Sequence, residues 1–220
     1  MPRLIPVFSL LLTIAWGQNV HPVTGRTYAG TMGVAGAPWL VRDTREAEEH
    51  PDQALDELKI GKGWIVADVG AGVGYMSWRL ANRVGPSGKV YANDIQPAML
   101  ELLKTNMEAR HIDNVVPVLG EPDDPKLPQS QMDLVLLVDV YHEFNQPQKM
   151  LRHIRDSLKA DGRMVLLEYR AEDPNVPILP LHKMTVPQVK AEIEPEGFRL
   201  DKVIEALPRQ HILIFRRKPS

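Results

Sequence analysis

The chain has no cysteine among its 220 residues, which excludes a disulfide framework, a thiolate nucleophile and sulfur ligation of a metal. An excess of charge is missing too: 26 lysines and arginines against 28 aspartates and glutamates leave a net charge of −2, with no global pull toward nucleic acid or an acidic membrane surface. The seven histidines are scattered and none forms an H-x-x-x-H or H-x-E pair, so spacing along the chain gives no expectation of a metal centre. Glycines are present but not in dinucleotide-binding order. A G-x-G-x-x-G register from Gly70 needs its third glycine at Tyr75, and one from Gly72 needs it at Ser77.

A composition of 44% hydrophobic and 25% charged residues is that of a globular protein, and the length suits one α/β domain rather than two. Arg3 followed by an apolar run over residues 4–16 and the small-x-small site Ala15-Trp16-Gly17 matches a secretory signal peptide at residues 1–17. The run is shorter than the roughly 20 residues that span a bilayer as a helix, so export to the periplasm or the medium without a stable membrane anchor is expected. A retained anchor, or a buried amino-terminal helix of a cytoplasmic protein, are the other readings of these residues. Residues 18–44 show neither helical nor strand period, yet carry Tyr28, Met32, Trp39 and Leu40. They are expected to form an irregular arm that folds over the site as a lid, ahead of a domain at residues 45–220.

The domain is organised around residues 68–74. An uncharged, β-branched run (residues 64–69, WIVADV up to its closing acid) predicts a strand buried on both faces, and Gly70, Gly72 and Gly74 then let the backbone turn and approach a ligand. A helix from about Tyr75, with Met76, Leu80, Ala81 and Val84 inward, aims its amide groups back at that ligand. The next strand, residues 89–94, ends in Asp94, about 20 residues past the glycines, where a carboxylate accepts from both ribose hydroxyls. Elsewhere the periodicity predicts helices at residues 45–58, from Pro97, at Met150 to Leu158 and from Thr185, with strands at residues 115–119, 132–140, 163–168, 198–206 and 211–217. Residues 171–184 read as a loop over the site.

An acid followed by three glycines at every second residue, Asp68, Gly70, Gly72 and Gly74, resembles the first motif of the class I S-adenosylmethionine-dependent methyltransferases, D/E-x-G-x-G-x-G. The resemblance covers residues 45–217. It implies an α/β fold with a doubly wound, seven-stranded, mostly parallel sheet, helices on both faces and the last strand antiparallel. It further implies S-adenosyl-L-methionine as cofactor, held by Asp68, Gly70, Ala71, Gly72, Gly74, Asp94, Ile95 and Asp139, with Glu121 in the place of the acid that meets the adenine amine.

The strand at residues 132–140 should lie beside the first one and end in Asp139-Val-Tyr141-His142-Glu143, aimed at the transferring methyl. His142, whose imidazole titrates near neutral pH, is the candidate base, with Glu143 or Asp139 to orient it and Tyr141, Tyr169 and Arg170 as further contacts. The alternative is that His142 only shapes the pocket. The expected partner is a small-molecule methyl acceptor, and no nucleic acid. The block Gly85-Pro-Ser-Gly-Lys-Val-Tyr-Ala92 is similar to protein-isoaspartate and transfer-RNA adenine methyltransferases, so protein or nucleic-acid acceptors stay open, as does a secreted binder without turnover.

Overall fold

The computed structural model describes residues 19–219. The expected leader at residues 1–17 lies outside them. Fourteen regular elements follow in order: α1 (Ala37–Leu40), α2 (Arg45–Glu49), α3 (Pro51–Glu57), β1 (Ile65–Val69), α4 (Ser77–Val84), β2 (Lys89–Asp94), α5 (Pro97–Ala109), β3 (Val115–Leu119), β4 (Met132–Val138), α6 (Pro147–Ser157), β5 (Leu158–Tyr169), α7 (Val186–Ile193), β6 (Phe198–Ile204) and β7 (Gln210–Arg217). The strands form one seven-stranded sheet in the order β3-β2-β1-β4-β5-β7-β6. β1 to β5 run parallel, and β7 lies antiparallel to both β5 and β6. This is the doubly wound arrangement expected, with the order reversing between β1 and β4.

The two-residue period of the strands divides the core. Leu134 and Leu136 of β4, with Val66 of β1 and Val165 of β5, pack on Leu55 and Leu58 beside α3 and on Leu80 and Val84 of α4. Their neighbours Val135, Leu137, Ala67, Met164 and Leu166 face the other way, onto Leu151 and Ile154 of α6 and Val189 and Ile193 of α7. α5 presents Leu103 and Met107 to Ala92 of β2, as their spacing of four predicts. Among the described residues no helix is long and apolar enough to cross a membrane.

Several boundaries differ from expectation. The helix predicted over residues 45–58 is broken at His50, whose φ of 48° is left-handed because the ring of Pro51 disfavours the helical conformation in the residue before it. β4 stops at Val138, since Asp139 also takes a positive φ of 51° and turns the chain out of the sheet. The helix after the glycine loop starts at Ser77 rather than Tyr75. Leu158 is not the last helical residue but the first of β5, where it pairs with Met132. The cap expected at Thr185 is a full capping box: its hydroxyl accepts from Gln188 N at 3.2 Å, and the Gln188 side chain accepts from Thr185 N at 3.3 Å.

The arm is tied down. Arg26 makes a two-pronged ion pair with Glu192 of α7 (2.8 and 3.0 Å) and donates to the carbonyl of His142 at 2.9 Å, while Ala29 N donates to the same carbonyl at 3.1 Å. Both charged side chains are nearly inaccessible to water, and removing one partner leaves the other charge buried and unpaired. Glu192→Ala is expected to cost about 3 to 5 kcal/mol in urea unfolding, whereas Glu101→Ala, which breaks an exposed pair with Lys104, should leave the midpoint nearly unmoved. A Glu192→Ala loss under roughly 1 kcal/mol would mean that the arm is not strapped on by this pair.

Candidate active site

The expected site residues lie at or beside the carboxyl ends of the parallel strands, where open α/β sheets bind ligands. The glycine loop after β1 is pinned to the end of β2. Gly70 N and Ala71 N donate to the carbonyl of Asn93 at 2.9 and 2.8 Å, and Gly72 N donates to the Asp94 carboxylate at 2.9 Å. The other carboxylate oxygen of Asp94 accepts from Gln96 N at 2.9 Å. Gly70 has φ of 75° and lies so close to Val140 that a Cβ would stand 2.4 Å from its methyl carbon; at Gly72, φ is 54° and a Cβ would stand 2.7 Å from Leu40 of the arm. Neither position accepts another residue without strain.

Gly70, Gly72, Asn93, Asp94 and Val140 line a cavity together with Ile95, Gln96 and Met99, Thr31, Met32 and Leu40 of the arm, and Glu143. The fit to a nucleoside is good. The Asp94 carboxylate has two lone pairs beyond those the backbone uses, which can accept from the two ribose hydroxyls, and the glycines leave the backbone bare. Asp68, Ala71 and Gly74 do not line this cavity. Asp68 lies beneath the loop, where burial raises its carboxyl to about 6 against the opposing hydrogen bond from Ser77, 2.6 Å away. Gly74 backs onto Leu103 and Met107. Glu121 points outward to Lys126 at 3.2 Å, and its neighbour Pro122 takes a place in the wall.

A second cavity of about 300 Å³ shares Met32 with the first. Its walls are Trp39, Arg42, Arg45 and Glu49 from the arm and α2, Asp139 and His142 after β4, Tyr169 at the end of β5, and Pro177 to Leu179 with His182 from the loop at residues 171–184. That loop and the arm therefore cover the site from two sides. Tyr169 donates to Glu49 at 2.7 Å, and Arg42 and Arg45 hold the same carboxylate at 2.7 and 2.8 Å. Tyr141 is turned away, fully buried between Arg26 and Phe144. Arg170 points to Glu205 and to the carbonyls of Leu207, Pro208 and Gln210.

His142 is the centre of the polar cluster. Its Nδ1 lies 2.6 Å from Glu168, a fully buried carboxylate at the end of β5, and its Nε2 lies 3.1 Å from Nδ1 of His182. Burial works against a charged ring, but Glu168, with Asp139 and Glu143 beyond it, outweighs burial and raises the His142 pKa. Burial lifts Glu143 to about 7, with Glu168 and Asp94 adding and His142 opposing. Asp139 is pushed well up by burial and by the nearby Glu49 and Glu168 carboxylates; Oδ2 accepts from Gln210 at 2.8 Å, while Oδ1 has no partner among the described residues. Burial and the neighbouring His142 lower His182.

Sequence reasoning passed over Glu168 and His182. A lone acid closing an otherwise apolar strand was the available signal for Glu168. His182 gave none, because it reaches His142 from forty residues away. That closure also changes the metal question. His142, Glu143 and His182 offer three donor atoms within 4.8 Å of one another, a grouping that no spacing along the chain announces.

A family model described as a methyltransferase domain matches residues 60–202. The chain is 30% identical over 111 residues to protein-L-isoaspartate O-methyltransferase of Methanothrix thermoacetophila, a match covering 50% of each chain. It is 26% identical over 126 residues to the ubiquinone/menaquinone biosynthesis C-methyltransferase UbiE of Hahella chejuensis, covering 57% of this chain and 50% of that one. The chain thus spans about half the length of the curated relatives it matches. Among solved structures, a SAM dependent methyltransferase from Aquifex aeolicus superposes with a TM-score of 0.79 at 23% identity, over 84% of this chain and 98% of that one, a likeness of fold.

Asp94→Ala removes the charged acceptor at the end of β2. It is expected to weaken S-adenosylmethionine binding by on the order of 2 to 4 kcal/mol in calorimetry, the scale of losing two hydrogen bonds to a carboxylate. Gly72→Val should weaken it as well by filling the approach. Unchanged affinity in both folded variants would place the cofactor elsewhere.

Proposed function

The chain belongs to the class I S-adenosylmethionine-dependent methyltransferases, and from that premise we propose that it methylates a small-molecule acceptor held in the second cavity. The observation that carries this reading is the division of labour between two consecutive residues. Glu143 lines the cavity bounded by the glycine loop and Asp94, while His142 lines the neighbouring one, so the turn after β4 stands between donor and acceptor. When bound, S-adenosylmethionine supplies a methyl group on a sulfonium, whose departure as a neutral thioether drives an in-line displacement. Asp94 and the bare backbone of Gly70 and Gly72 hold it, and the arm residues Met32 and Leu40 shield it from water.

The acceptor's cavity has apolar walls at Trp39, Ile178 and Leu179 and polar groups at Arg42, Tyr169 and His142. A space of about 300 Å³, roofed by the arm and by residues 171–184, suits a compact molecule rather than a nucleic acid strand. His142 assists the loss of the acceptor's proton, and Glu168 is its positioning residue, fixing the ring by accepting from Nδ1. A binder without turnover gains nothing from burying Glu168 and His142 together at this point, which favours catalysis.

The purified protein should transfer methyl groups to at least one member of a panel of phenol, thiol, amine and carboxylate acceptors. His142→Ala should lower that turnover roughly a hundredfold or more, with S-adenosylmethionine affinity nearly unchanged, and His142→Asn should not restore it. Cofactor binding with no methylation across the panel would favour the binder. A variant with intact turnover and a raised KM would reduce His142 to a binding contact.

A further inference from the structure

The assistance that His142 gives has a specific form, and we infer that His142, Glu143 and His182 are the ligands of a divalent cation at the boundary of the two cavities. This rests on the acceptor-site reading above. Glu168 accepts only, so the 2.6 Å contact puts the His142 proton on Nδ1 and leaves the Nε2 lone pair facing the cavity. That is the arrangement in which a metal-binding histidine is held, its outer nitrogen bonded to a buried carboxylate and its inner one presented. Nδ1 of His182 faces the same point from 3.1 Å. The two ring nitrogens are either joined by a hydrogen bond donated from His182 Nδ1 or share one ion. With metal–nitrogen bonds of about 2.05 Å, two ligands of one ion stand roughly 2.9 Å apart at right angles and 3.3 Å apart in a tetrahedron, and the observed separation falls between those values.

Glu143 supplies the third donor, with all three donor atoms within 4.8 Å of one another. Two imidazoles and one carboxylate suit zinc, cobalt, manganese or iron in the divalent state, rather than magnesium or calcium, which prefer oxygen alone. Three protein ligands leave a position open toward the acceptor's cavity. An acceptor hydroxyl or thiol coordinating there would give up its proton to solvent more readily, the ordinary consequence of a nearby dication. The ion would also join the loop that carries His182 to the turn after β4, and so hold one wall of the site in place.

The test uses cobalt(II) as a spectroscopic probe on the full chain after treatment with a chelator. One equivalent of cobalt should bind and give a visible d–d absorption band. His182→Ala and the isosteric Glu143→Gln should each weaken binding tenfold or more, Glu168→Gln by roughly tenfold to a hundredfold, and the exposed-site change His111→Ala not at all. S-adenosylmethionine binding is measured in parallel by calorimetry. Absence of the band, or a band that survives both His182→Ala and Glu143→Gln, overturns the cation site. If cofactor binding persists in that case, the methyltransferase reading stands without it.

Discussion

The hydrogen bond from Gly72 N to the Asp94 carboxylate is the tie on which the rest of the site depends. It joins the loop leaving β1 to the last residue of β2, and the carbonyl of Asn93 doubles it by accepting from Gly70 and Ala71. A glycine loop alone samples many conformations, and its entropy must be overcome before it can serve as a template. Three backbone N–H groups fixed on the neighbouring strand do that without using a side chain of the loop. The cost is a buried carboxylate. Burial raises the Asp94 pKa, and the backbone hydrogen bonds from Gln96 and Gly72 act against the rise. The carboxylate so fixed keeps two lone pairs to offer a ligand in the first cavity.

The second cavity depends on a different economy of charge. Glu168 is fully buried at the end of an apolar strand, and the partners that justify it are His142 and the backbone N–H of Tyr141, which donates at 3.1 Å. A carboxylate in that position either organises the turn after β4 or costs several kcal/mol for nothing. Because it does organise it, the His142 ring lines the second cavity while Glu143 lines the first. The arm reinforces the arrangement from outside, since both Arg26 and Ala29 bond the carbonyl of His142. The loop at residues 171–184 closes the opposite side through His182.

Much of this was legible in the sequence, for identifiable reasons. β2 and β3 were read at their observed bounds, because each is a short strand-forming run set between turn formers. Gly70, Gly72, Asp94 and Ile95, expected at one site, line one cavity because the loop leaving β1 lies beside the end of its sheet neighbour β2. Failure came where a signal was local in sequence but decided by tertiary contacts. Glu121 carries the right chemistry at the right distance along the chain, yet Lys126 draws it outward. Tyr141 sits beside His142 in sequence but on the core side of a tight turn. Of the second cavity's walls, Asp139, His142, Tyr169, the arm and the loop at residues 171–184 were expected near the site, whereas Arg45, Glu49 and His182 were not, since only the folded chain brings their segments there.

The most direct test of this account is a crystal structure of the protein grown with S-adenosylhomocysteine. The account predicts the ribose hydroxyls on the Asp94 carboxylate, the backbone of Gly70 and Gly72 against the nucleoside, and the sulfur turned toward the His142–Glu143 turn and the cavity beyond it. A nucleoside found instead in the outer groove lined by Tyr75, Trp78 and Leu102, or one that leaves Asp94 untouched, would contradict it.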